Sequence, residues 1–130
     1  MRIIKFLSIV VISLLLTNCT AYKEVASFPD ADDVFITSGD GDIQKPYTPI
    51  GQLLFLKAGA RIPLPLLGMI PINDVDPDTE LREEIFTEIK KRGGDGLINM
   101  QINFEPPTNG FIGFGANGGN IFVTGTIIKR

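Results

Sequence analysis

Hydrophobic and polar residues alternate most plainly from Leu97 to Phe104, where Ile98, Met100, Ile102 and Phe104 interleave with Asn99, Gln101 and Asn103. A period of two predicts a strand with one face on a core and the other in water. Ile121 to Lys129 is a β-branched run in which Val123 and Ile127 point opposite to Thr124 and Thr126, which predicts a closing strand. Upstream the period changes: Leu81, Ile85 and Ile89 recur at i, i+4 and i+8 with Phe86 beside them, a single apolar stripe within Asp76 to Gly94. That segment carries its own boundaries. Asp76 or Asp78 can cap the first amides, Pro77 suits a helix start, and Glu80, Glu83 and Glu84 lie near the positive end of the dipole. Lys90, Lys91 and Arg92 crowd the other end, with Gly93 and Gly94 as the stop. Two shorter runs, Val34 to Thr37 and Gln52 to Lys57, predict further strands, with Pro49 and Gly51 marking an irregular start to the second. The order is β-β-α-β-β: an α+β single small domain with a largely antiparallel sheet packed by one main helix.

Two segments fit neither period. Arg61 to Ile72 is apolar at nearly every position but carries three prolines, which forbid an interior strand and an uninterrupted helix. It reads either as a connection folded over the core or as an exposed apolar face. Asn109 to Asn120 is long for a hairpin connection, and its Phe111, Ile112 and Phe114 either fold back on the core or form an apolar tip. Leu64, Leu66, Leu67, Met69 and Ile70, with Phe111, Ile112 and Phe114, are therefore the candidate interaction surface.

The N-terminus adds a location. MRIIK carries two positive charges and no acid, and Phe6 to Leu16 follows as FLSIVVISLLL. The apolar stretch is shorter than the ~20 residues a spanning helix needs, so it reads as an export signal. It ends Leu16-Thr17-Asn18-Cys19, which resembles a bacterial lipobox. In proteins with that motif the thiol receives a diacylglyceryl group by thioether linkage, the chain is cut just before the cysteine, and the new amino group is acylated. Leu16 and Cys19 match; Asn18 departs from the usual Gly, Ala or Ser, as in the looser lipoboxes typical of spirochaetes. The resemblance implies a signal peptide over 1–18, a lipidated tether over 19–33 and the α+β domain over 34–130. It also implies a lipid bilayer as partner through acylated Cys19, and an exported protein anchored to the cell envelope at the outer membrane. Two or more acyl chains at ~0.8 kcal/mol per buried CH₂ make a firm anchor.

Charge narrows the partners further. The full chain is −3; removing Arg2 and Lys5 with the signal leaves ten basic against fifteen acidic residues, or −5. That argues against nucleic acid as a partner and against electrostatic binding to anionic lipid. Cys19 is the only cysteine, so no disulfide staples the domain and its stability comes from the core.

Candidate chemistry is sparse. Asp74, Asp76 and Asp78 match the opening ligand positions of a D-x-D-x-D calcium loop, but Thr79 stands where Gly is needed and Ile85 where the bidentate Glu belongs. Helix capping accounts for the same acids without a metal. Asp40 and Asp42 read as turn residues, and Asp30, Asp32 and Asp33 as a solvated tether. Gly113, Gly115 and Gly118 satisfy G-x-G-x-x-G, yet a strand follows where a dinucleotide site requires a helix, so they read as a loop. With no histidine, no free thiol once Cys19 is acylated, and no Ser or Thr beside a base, neither a catalytic residue nor a cofactor site is expected.

The helix running into KKRGGDGLINMQINFE and, after a loop, IFVTGTIIKR is similar to the C-terminal half of a family of small bacterial proteins named for heavy-metal binding. Gly94-Asp95-Gly96 stands at that family's turn into a strand and Gly125 to Lys129 at its close; Val34 to Thr37 and Ile50-Gly51 resemble its N-terminal half more loosely. The layout is also similar to that of the envelope-stress sensor lipoprotein of the Rcs system. The resemblance implies a β-β-α-β-β unit and a tendency to form rings, often pentamers. It delivers no metal site, because the soft ligands are missing. The expected function is a membrane-anchored envelope lipoprotein acting as a non-catalytic binding, sensing or assembly module, with a homo-oligomer or an envelope protein as partner. The alternative is a protein that binds metal through carboxylates.

Overall fold

The computed structural model describes residues 34–40 and 46–130. Four strands, β1 (Phe35–Ile36), β2 (Thr48–Ala58), β3 (Gly96–Glu105) and β4 (Asn120–Lys129), form one sheet in the order β1-β3-β4-β2. Only the β1–β3 pair is parallel; β2–β4 and β3–β4 are antiparallel. The expected β-β-α-β-β architecture is the one observed, with β2 extending four residues further toward the N-terminus than its hydrophobic run. Pro49 and Gly51 lie inside that strand, at an irregularity in its register with β4. An edge strand tolerates this, because the missing proline N–H leaves no central ladder incomplete.

One helical run over 77–91, α1, crosses the sheet. It comprises an α-helical start (Pro77–Thr79), a π-helical middle (Glu80–Ile85) and an α-helical end (Phe86–Lys91). Asp76 is the N-cap: it is extended, and its carboxylate accepts the Asp78 N–H at 3.2 Å and the Thr79 hydroxyl at 2.6 Å. The run stops where Gly93 turns to φ +78, with the Gly93 N–H donating to the Lys90 carbonyl and the Gly94 N–H to the Ile89 carbonyl. These are the two bonds of a Schellman stop. Leu81, Ile85 and Ile89 are fully buried and meet Leu53, Leu97, Met100, Ile121, Val123 and Ile127 of the sheet in one apolar core.

The alternation of β3 is broken once. Ile98 pairs with Thr126 and Gln101 with Thr124, so Asn99 and Met100 together face the one intervening residue of β4. Asn99 takes φ +53, within the reach of asparagine, and its N–H donates to the Gly39 carbonyl while that of Met100 donates to the Thr37 carbonyl. This bulge corrects the expected face. Leu97 rather than Ile98 joins Met100 in the helix-side core, and Ile98, though buried, pairs on the opposite side.

Candidate interaction surface

The chain leaves β2 and returns to α1 over 59–75, and leaves β3 and returns to β4 over 106–119; strand pairing puts both connections at the same end of the sheet. They are fastened together. Ala60 and Asn73 exchange backbone hydrogen bonds at 2.7 and 3.1 Å, the Gly59 N–H donates to the Gly119 carbonyl, and that of Val75 to the Gly118 carbonyl. Gly59 and Gly118 lie so close that a Cβ on either would overlap the backbone of the other. Arg61 adds a polar rivet. Its side chain is buried; Nε donates to Asp74 Oδ1 at 2.7 Å, Nη2 to Asp74 Oδ2, and Nη1 to Asn109 Oδ1 of the second connection.

Beyond this base the two connections form a lobe with its apolar side chains outward. Leu64, Leu66, Leu67, Met69 and Ile70, together with Phe111, Ile112 and Phe114, are exposed by 47–67%. The structure therefore places all eight expected interaction residues in one surface, and adds Ile62 and Ile72 at its margin. Residues 62–72 and 110–116 contain no polar side chain.

The lobe is held in uncommon backbone conformations. The Leu67 N–H donates to the Pro65 carbonyl at 2.7 Å, closing a three-residue γ-turn centred on Leu66 at φ 63, ψ −42, the rare positive-φ form. Phe111 and Phe114 exchange both backbone hydrogen bonds across Ile112 (φ 48) and Gly113 (φ 93), a two-residue hairpin turn of the type that favours Asn-Gly. A β-branched residue at positive φ costs of order 1–3 kcal/mol, held here by the surrounding bonds. The Leu66 N–H donates to the Ile112 carbonyl, so the two strained residues are bonded to each other. Gly113 and Gly118 of the apparent dinucleotide motif are parts of this packing.

The three candidate acids are not brought together. Asp74 is held by Arg61, Asp76 caps α1, and Asp78 pairs with Arg82 at 3.1 Å. Among the described residues, no group of three or more His, Cys, Asp or Glu could hold a metal ion. Asp40 is exposed; Cys19, Asp30, Asp32, Asp33 and Asp42 lie outside the described residues. A cleft of about 190 Å³ between β2 and α1 is lined by Gln52 to Phe55, Glu84, Glu88 and Arg92, below the ~300 Å³ at which small-molecule sites begin. Among the described residues no helix is long and apolar enough to cross a membrane.

Sequence reasoning missed the roles of Arg61 and Asn109. The signal was available for the first: opposite charges, Arg61 and Asp74, bracket a charge-free run. It also missed that Leu54 and Leu56, exposed by about 70%, sit on the face of β2 away from α1; QLLFLK reads as apolar on both faces.

The Arg61 guanidinium, by hydrogen bonding first and charge second, holds the Asp74 carboxyl below its ordinary value of 3.8. A depressed folded value stabilises the fold above the unfolded value and loses that contribution as pH falls through the folded one. Arg61→Met is therefore expected to cost about 2 kcal/mol at pH 7. In urea unfolding series from pH 7 to pH 2 the difference from wild type should persist to about pH 4 and shrink below it. A gap that is constant across that range would show that the ion pair is not its source.

Compared with protein-family models, curated proteins and solved structures, the chain matches none.

Proposed function

We infer that this chain is an envelope lipoprotein, anchored through acylated Cys19, whose domain is a non-catalytic contact module working through the apolar lobe. The observation that carries the reading is the lobe itself: ten large hydrophobic side chains turned outward on a base riveted by Arg61. An area on the order of 1,000 Å² exceeds the ~300–600 Å² of the largest apolar patch on an ordinary monomer. The N-terminal charge pattern and the Leu16 to Cys19 motif support the anchor. The resemblance to the family named for heavy-metal binding rests chiefly on the C-terminal motifs, with Val34 to Thr37 and Ile50-Gly51 matching its N-terminal half more loosely. The carboxylate-metal alternative has less support, since the acids that suggested it have cap and ion-pair partners.

Metabolic labelling with a fatty-acid analogue tests the anchor. Wild type is expected to take up label and fractionate with membranes, and Cys19→Ala to do neither; equal labelling of both would overturn the reading. Crosslinking in native membranes tests the lobe as the contact surface, with photoreactive groups at Leu67 and Phe111 expected to give adducts that a group at Tyr47 does not.

A further inference from the structure

We propose that the lobe's occupant is the hydrocarbon of a lipid bilayer, into which it seats as a wedge beside the acyl anchor. This rests on the lipid-anchored reading and names the partner of that same surface. Three observations carry it.

The first is chemical. A protein interface of this size carries about one hydrogen bond per 100–200 Å². The lobe has no polar side chain in 62–72 or 110–116 with which to make one. The second is the backbone, because hydrocarbon tolerates only polar groups already satisfied within the protein. From Pro63 to Pro71 every position either lacks an N–H, being proline, or donates it to a carbonyl of the protein. The γ-turn at Leu66 is part of that arrangement: its strained geometry closes the Leu67 N–H onto Pro65 at an otherwise exposed tip. Water would have satisfied that N–H without strain; acyl chains would not.

The third is reach. The chain enters β1 beside Gly96, at the opposite end of the ten-residue β3 from the lobe, a separation of roughly 33 Å. The fourteen residues between Cys19 and Val34 extend to about 46 Å. The anchored domain can therefore lie back until its lobe meets the same bilayer, with the anchor supplying the effective concentration. The cation at the lobe's base, Arg61, is buried against Asp74, so the contact is apolar and insensitive to salt.

The chain has no tryptophan, so single indoles report position. Full-length lipidated protein carrying Phe114→Trp, Met69→Trp or Tyr47→Trp is placed on phosphatidylcholine vesicles with brominated acyl chains. Emission from the indole at 114 or 69 should shift to the blue and be quenched several-fold, equally in 50 mM and 500 mM salt, while that at 47 is not. Two lobe reporters guard against one that fails to fold. Co-sedimentation of wild type against Cys19→Ala scores the anchor separately: its failure removes the reading on which the proposal rests. Anchored protein with all three reporters unquenched overturns the wedge alone. So does a blue-shifted, unquenched indole at 114 in protein that crosslinks as a dimer, which gives the lobe to a second copy.

Discussion

Replacing Lys57 with methionine should destabilise the domain by about 3 kcal/mol, because it strands a buried carboxylate. Glu80, in the π-helical middle of α1, is 3% exposed; one oxygen meets Lys57 Nζ at 2.7 Å and the other, Oε2, is buried with no hydrogen-bond partner. Lys57 also reaches Glu84 at 3.5 Å. Its ammonium is held above its ordinary value of 10.5, chiefly by the hydrogen bond to Glu80. A raised folded value contributes stability below the unfolded value and loses it as pH rises through the folded one, so this cost is present in full at neutral pH and fades only above about pH 10. The double variant Lys57→Met/Glu80→Leu should recover most of the loss, since an apolar pair of similar volume carries no desolvation penalty. Urea midpoints of wild type, both single variants and the double variant decide it. A double variant no more stable than Lys57→Met would mean that packing, rather than the stranded charge, dominates.

Gly118→Ala should be at least as damaging, about 3 kcal/mol or a fall of roughly 10–20 °C in Tm. The added Cβ would stand 2.4 Å from the Gly59 carbonyl carbon, 2.5 Å from the Ala60 nitrogen and 2.6 Å from the Asn73 oxygen. All three are backbone atoms of the lobe's base and none can swing aside. Gly51→Ala is the control: nothing lies within 4 Å of its would-be Cβ, so its Tm should change little or rise. Thermal melts of the two variants should therefore separate widely, and similar melting temperatures would show that the two connections are not clamped at this point. Because the clamp mounts the lobe, Gly118→Ala should also loosen the apolar surface. Earlier proteolysis within 62–72 would report it.

The elements legible in the sequence were those whose signal is local. The stripe of Leu81, Ile85 and Ile89 repeats within one segment, and the cap at Asp76 and stop at Gly93 act on amides a few residues away. The bulge at Asn99 was not legible, since its cause is the fit of β3 to β4 and to Thr37 and Gly39, remote in sequence. The π-helical middle of α1 was likewise hidden behind a stripe that an ordinary helix satisfies equally well. For the lobe, composition marked both apolar segments but left each between core and surface. Ile112-Gly113 gave no hairpin signal because isoleucine stands where asparagine usually marks that turn.

What residues within a few positions of one another carry is the order and type of the elements, the helix ends, the lack of any histidine, and an N-terminal pattern that resembles an export signal with a lipobox. Tertiary structure decided which apolar segments face outward. Residues 62–72 and 110–116 can leave the core because α1 and β4 already fill it, and because Arg61, Asp74 and the Gly59–Gly118 contact hold their bases together across more than forty residues of chain. Burial is a competition among all the apolar segments of a chain, and its outcome depends on distances that no single segment encodes.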